Sequence, residues 1–108
     1  MNSFGETIKK LREAKKQPLR VVASFLDIDQ AILSKFETGS RFASREQVRK
    51  MAKYFNASEK ELLIAWLAER LFREVEGEDE KFATQALQLA EEKVAFNSAK
   101  KYSRKNKE

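Results

Sequence analysis

The stretch from Pro18 to Gly39, PLRVVASFLDIDQAILSKFETG, constrains the fold most strongly. Leu19, Val22, Ala23 and Leu26 recur at helical spacing, and Leu33 with Phe36 repeats that spacing after Asp27-Ile28-Asp29. The pattern predicts two short helices joined by a tight corner. Pro18 suits the first helical turn, where its missing N–H is harmless, and Asp29 is placed to cap the second helix by accepting from free backbone N–H groups. Gly39 ends that helix, because glycine turns left-handed past a helix C-terminus without a steric penalty.

A corner of this kind is the spacing of a helix-turn-helix, in which the second helix enters the DNA major groove and the first crosses the backbone. The charge distribution agrees. Residues 1–55 carry 12 Lys and Arg against 6 Asp and Glu, residues 56–99 carry 5 against 10, and residues 100–108 carry 5 against 1. A basic first half points to a polyanion partner. The 108 residues contain neither Cys nor His, so disulfides, thiolate nucleophiles and cysteine zinc sites are excluded. No enzyme activity, cofactor or metal is expected. No apolar run is long enough for a membrane span and MNSFGETIKK has no secretory character, so a cytoplasmic protein without a membrane partner is expected.

The flanking segments also read as helices, giving an all-α chain. FGETIKKLREAKK places Phe4, Ile8 and Leu11 on one face and Lys9, Lys10, Arg12 and Lys16 largely on the others. After Gly39 a helix resumes at about Ser44, which with Gln47 forms a capping-box pattern, and Val48, Met51, Ala52 and Phe55 make its buried stripe. Ser58 and Glu61 repeat the capping pattern before a long helix to about Glu76. Its apolar set of Leu62, Leu63, Ala65, Trp66, Leu67, Leu71, Phe72 and Val75 covers more circumference than one small domain needs, so another element or a second subunit should bury part of it. Gly77 and Glu78-Asp79-Glu80 mark a turn into a sixth helix striped by Phe82, Ala86, Leu89, Ala90 and Val94. From 98 to 108 the chain is polar and basic, and a flexible tail is expected.

The run from Phe4 to about Leu67 resembles the lambda-repressor-like, or XRE, helix-turn-helix domain, through IKKLRE, AILSKFETG and NASEKELL. SKFETG is the most specific of these. The resemblance implies a five-helix DNA-binding domain over 1–67 with an extended fifth helix. It leaves a helical extension over 68–97 for dimerisation or partner binding. It implies a recognition helix at about 29–38 in the major groove of double-stranded DNA. Gln30, Ala31, Ser34 and Lys35 then read bases, and Ser40, Arg41, Ser44 and Arg45 grip phosphates. It further implies that Glu37 pairs with a basic residue, for which Arg12 is the candidate, in an exposed ion pair worth at most about 1 kcal/mol.

Two positions depart from the family pattern. Leu19 stands where a phosphate-touching Gln is common, and Asp27 stands at the corner where Gly is usual. Asp tolerates the left-handed conformation better than most residues. The implied function is transcriptional regulation, as a repressor, by a homodimer joined through Trp66, Leu67, Leu71, Phe72, Val75, Phe82 and Leu89. The alternative is an antitoxin that covers a toxin with its C-terminal helices and represses its own operon.

Overall fold

The computed structural model describes the chain through Asn106, with side chains described through Lys100. Among the described residues all regular structure is helical: α1 (Phe4–Ala14), α2 (Leu19–Leu26), α3 (Gln30–Thr38), α4 (Arg45–Phe55), α5 (Glu59–Val75) and α6 (Glu80–Asn106). The chain divides into two compact units, Met1–Glu74 and Val75–Glu108. No helix among the described residues is long and apolar enough to cross a membrane.

The helix boundaries follow from local chemistry. Asp27 caps α2 in the left-handed region at φ 57°, and Gly39 does the same for α3 at φ 83°. Ser44 and Gln47 form a complete capping box at the start of α4, each side chain meeting the other's backbone N–H. Ser58 Oγ accepts from the Glu61 amide at 3.2 Å before α5. Two sequence expectations shift. Pro18 is the N-cap of α2, one residue outside its first turn, and Asp29, although at the N-cap of α3, makes no capping hydrogen bond with its side chain. The Asp29 backbone carbonyl still accepts from the Ile32 and Leu33 amides, at 3.0 and 3.2 Å, but the carboxylate takes none of the first-turn amides.

In the first unit the apolar faces converge on one core. Ile8, Val22, Leu33, Val48 and Met51 are fully buried, and Phe4, Ala23, Leu26, Phe36, Ala52, Phe55, Leu62 and Trp66 complete it. Leu19 packs against this cluster, so the residue that replaces the usual polar side chain contributes apolar contact. The helix α1 lies so close to the end of α3 that a Cβ on Gly5 would collide with the backbone carbonyls of Phe36 and Glu37. Gly5 is thus the residue that lets these two helices meet.

That contact is locked by a bidentate ion pair. Arg12 Nε donates to Glu37 Oε2 at 2.7 Å and Nη2 to Oε1 at 3.0 Å, while Nη1 donates to the Gln17 carbonyl at 3.0 Å. The partner expected from the sequence is the one found, but the pair is not exposed. The side chains retain 13% and 6% of their accessible surface, so the exposed-pair energy does not apply. The hydrogen bond to Glu37 raises the Arg12 pKa above its ordinary value, against the opposing effect of burial.

From Val75 to Lys100 no residue is buried. The backbone of α6 stays helical to Asn106, past Asn97, where a flexible tail was expected. The last two positions of that expected tail, 107 and 108, lie outside the described residues.

Removing one member of the buried pair strands the other, a change that costs about 3–5 kcal/mol in comparable sites, whereas replacing both with apolar residues of similar volume is often neutral. Glu37→Ala should therefore lower the urea midpoint sharply, and Arg12→Met with Glu37→Met should recover most of the loss. A double variant as unstable as the single would show that the loss does not come from a stranded charge.

Candidate nucleic-acid interface

The α3 helix is anchored by Leu33, Phe36 and Glu37, all buried. At 3.6 residues per turn those three share one side; Ala31, Ser34 and Lys35 share another, and Gln30, two turns before Glu37, stands at the border between them. Gln30, Ala31 and Lys35 are exposed and Ser34 is half-buried. The helix thus presents a short polar ridge whose direction is fixed by the residues beneath it. Thr38 continues the exposed side by one more turn, with its hydroxyl held to the Lys35 carbonyl at 3.3 Å.

Past Gly39 the chain folds back on the recognition helix. The Arg41 amide donates to the Lys35 carbonyl at 3.3 Å, and Ser40 Oγ lies 3.3 Å from Thr38 Oγ1. Ser44 is engaged in its capping box. Of the four residues expected at phosphates, the two serines therefore shape the loop, and Arg41 and Arg45 are the exposed charges it carries. The Ser44 hydroxyl still has its own proton to donate.

Both ends of this loop are stapled to α5. Trp66 Nε1 donates to the Ala43 carbonyl at 2.8 Å, fully buried, and Arg73 Nη2 donates to the Gly39 carbonyl. The Arg73 guanidinium lies 5.4 Å from the centre of the Phe42 ring, and those of Arg45 and Arg70 lie 5.4 and 4.9 Å from that of Trp66. Glu69 accepts from the Phe4 amide at 3.0 Å, tying the same helix to the start of α1. These contacts carry the first unit to Glu74. Sequence reasoning missed them, because a Trp and an Arg on a helix carry no mark of the loop carbonyl they will meet.

They also correct one assignment. Trp66, expected at a dimer or partner interface, is only 4% exposed. Its ring fills the core of its own chain and its N–H satisfies a loop carbonyl. Leu67, Leu71 and Phe72 are exposed on α5, as are Phe82 and Leu89 on α6, and Val75 is half-buried. Lys15, one of the basic residues near α1, donates to the Tyr54 carbonyl at 2.7 Å and so has a structural partner.

The helix-turn-helix domain family matches residues 3–63, more than half of the chain, over the same α1 to α5 frame that holds the exposed ridge and the loop. The chain belongs to this family of DNA-binding domains. No curated protein matches it.

Trp66→Phe keeps the aromatic volume but leaves the Ala43 carbonyl buried without its donor, which costs about 1–3 kcal/mol. Urea unfolding of the variant should show a loss in that range, and amide exchange in residues 40–44 should accelerate. An unchanged midpoint with unchanged exchange would show that this hydrogen bond does not hold the loop.

Proposed function

We propose that this chain is a sequence-specific repressor of transcription that binds double-stranded DNA as a homodimer and has no catalytic role. The observation that carries the reading is the ridge of exposed Gln30, Ala31 and Lys35 with half-buried Ser34, set on a helix whose adjoining face is buried. A side chain reads a base only if its own backbone is held still, and this helix is anchored at Leu33, Phe36 and Glu37. Gln30 can make a bidentate pair with adenine N6 and N7, Lys35 can donate to guanine O6 and N7, and Ala31 can meet a thymine methyl. Ser34 can accept or donate at either purine.

Arg41 and Arg45 supply the sequence-independent part. Neutralising phosphates releases counterions, which gives affinity and makes it salt-dependent without selecting a sequence. One such domain reads only a few base pairs, and a dimer on a two-fold operator doubles the contact. The exposed apolar residues of α5 and α6 are the surfaces available for it. Bound at its operator, the dimer excludes other proteins from that DNA.

The two sets of residues should separate in a titration of labelled duplex followed by fluorescence anisotropy. Gln30→Ala with Lys35→Ala should cut discrimination between the preferred site and random DNA, each lost base contact being worth about 1–3 kcal/mol, with the salt slope nearly unchanged. Arg41→Ala with Arg45→Ala should weaken binding to all sequences and reduce the slope of log K against log salt by about 2. Equal effects of both pairs on specific and random DNA would overturn the assignment of roles.

A further inference from the structure

The segment from Val75 to Lys100 has no buried residue, yet α6 is helical over 27 residues. A helix in water owes most of its stability to a packed face. The large apolar residues of α6 fall between Phe82 and Phe96, where Phe82, Leu87, Leu89, Val94 and Phe96 are between 42% and 67% exposed. At 3.6 residues per turn, Phe82, Ala86, Leu89 and Phe96 share one sector, and Ala90 and Val94 widen it. Lys93 interrupts that sector, and past Asn97 it is taken over by polar positions such as Lys100.

Charge frames this apolar stretch with opposite signs. Glu76, Glu78, Asp79 and Glu80 precede it, and the sequence beyond it contains Lys100, Lys101, Arg104 and Lys105. The stretch from Phe82 to Phe96 has its midpoint at Leu89. If a second copy is laid antiparallel about that midpoint, Phe82 of one falls opposite Phe96 of the other, and the acidic end of each comes to the basic end of the other, with Glu78 level with Lys100. A parallel pairing would set acid on acid and base on base, which is unfavourable.

We propose that α6 pairs antiparallel with α6 of a second copy, centred near Leu89, and that this pairing joins the homodimer. The inference rests on the dimeric reading above and adds its interface and polarity. The two copies of Glu80 then stand about 27 Å apart along the paired helices, 18 residues at the helical rise.

The chain has no Cys, so single cysteines report cleanly. In the full chain, Leu89→Cys should crosslink to itself with a bis-maleimide shorter than two helical turns. Phe82→Cys alone and Phe96→Cys alone should not, because each pair of thiols would lie about 21 Å apart. A mixture of the two, one of them tagged, should give the mixed dimer. Reversing Glu78, Asp79 and Glu80 to Lys should raise the dimer dissociation constant on the order of tenfold. Adding Lys100→Glu, Lys101→Glu and Arg104→Glu to that chain should restore it, with circular dichroism confirming helix content.

Self-crosslinking of Phe82→Cys would overturn the antiparallel polarity. A dimer by sedimentation that ignores the charge reversal, together with a Leu89→Cys variant that stays unlinked, would place the interface elsewhere and overturn the inference, with the dimeric reading intact. A monomer at all concentrations, on and off DNA, would overturn both. Binding of DNA by the ridge and the loop is read separately by anisotropy.

Discussion

The buried ion pair between Arg12 and Glu37 sets the direction in which α3 faces. Glu37 belongs to the same helix as Gln30, Ala31, Ser34 and Lys35, and Arg12 belongs to α1, which touches α3 closely only because Gly5 has no Cβ. Two parallel N–H to oxygen bonds fix both distance and rotation between the partners, as a single point charge would not. A carboxylate taken out of water is expensive, so the pair adds less to stability than its geometry suggests. Its larger effect is orientation. A carboxylate 6% exposed must face its guanidinium, and that requirement holds the exposed ridge at one angle.

Orientation is what base reading needs, and phosphate gripping needs something different. In the proposed function, Arg41 and Arg45 would act through charge, and their loop would have only to keep them near the backbone of the duplex. The loop is held at its ends, by Trp66 on Ala43 and by Arg73 on Gly39, with Arg41 exposed and the Arg45 guanidinium exposed over the Trp66 ring. Both staples come from α5, whose outer positions Leu67, Leu71 and Phe72 are exposed. A partner seated on those positions would rest on the turns that hold the loop. In the first unit the same helix thus serves the core and the loop from Gly39 to Ala43.

Much of this was legible in the residues. Helical periodicity located α2 and α3, the left-handed turn at Gly39 followed from residue type and that at Asp27 from the family resemblance, and the Ser44 and Gln47 box marked the start of α4. The core stripes of α1, α2 and α4 followed from spacing alone. What did not show was tertiary. Trp66 has the same spacing as an outward residue of a wide apolar helix, and only the position of Ala43 makes it a core residue. Gly5 looks like an ordinary glycine near a chain start until α3 is laid across it. The partnership of Arg12 and Glu37 was implied by resemblance, but its burial depends on what surrounds it. At Asp29 residue type favoured a cap that the backbone geometry did not use. The helical continuation of α6 past Asn97 runs against composition, which favoured a loose tail there.

Whether a rigidly oriented α3 reads base sequence is decided by selecting the full chain on a random duplex pool and sequencing the retained DNA. One short motif should be enriched, present as two inverted copies with centres about one helical turn apart. Recovery of DNA with no enriched motif, from protein that is fully folded and binds with a normal salt dependence, would contradict base reading by α3, since only the phosphate grip would then be at work.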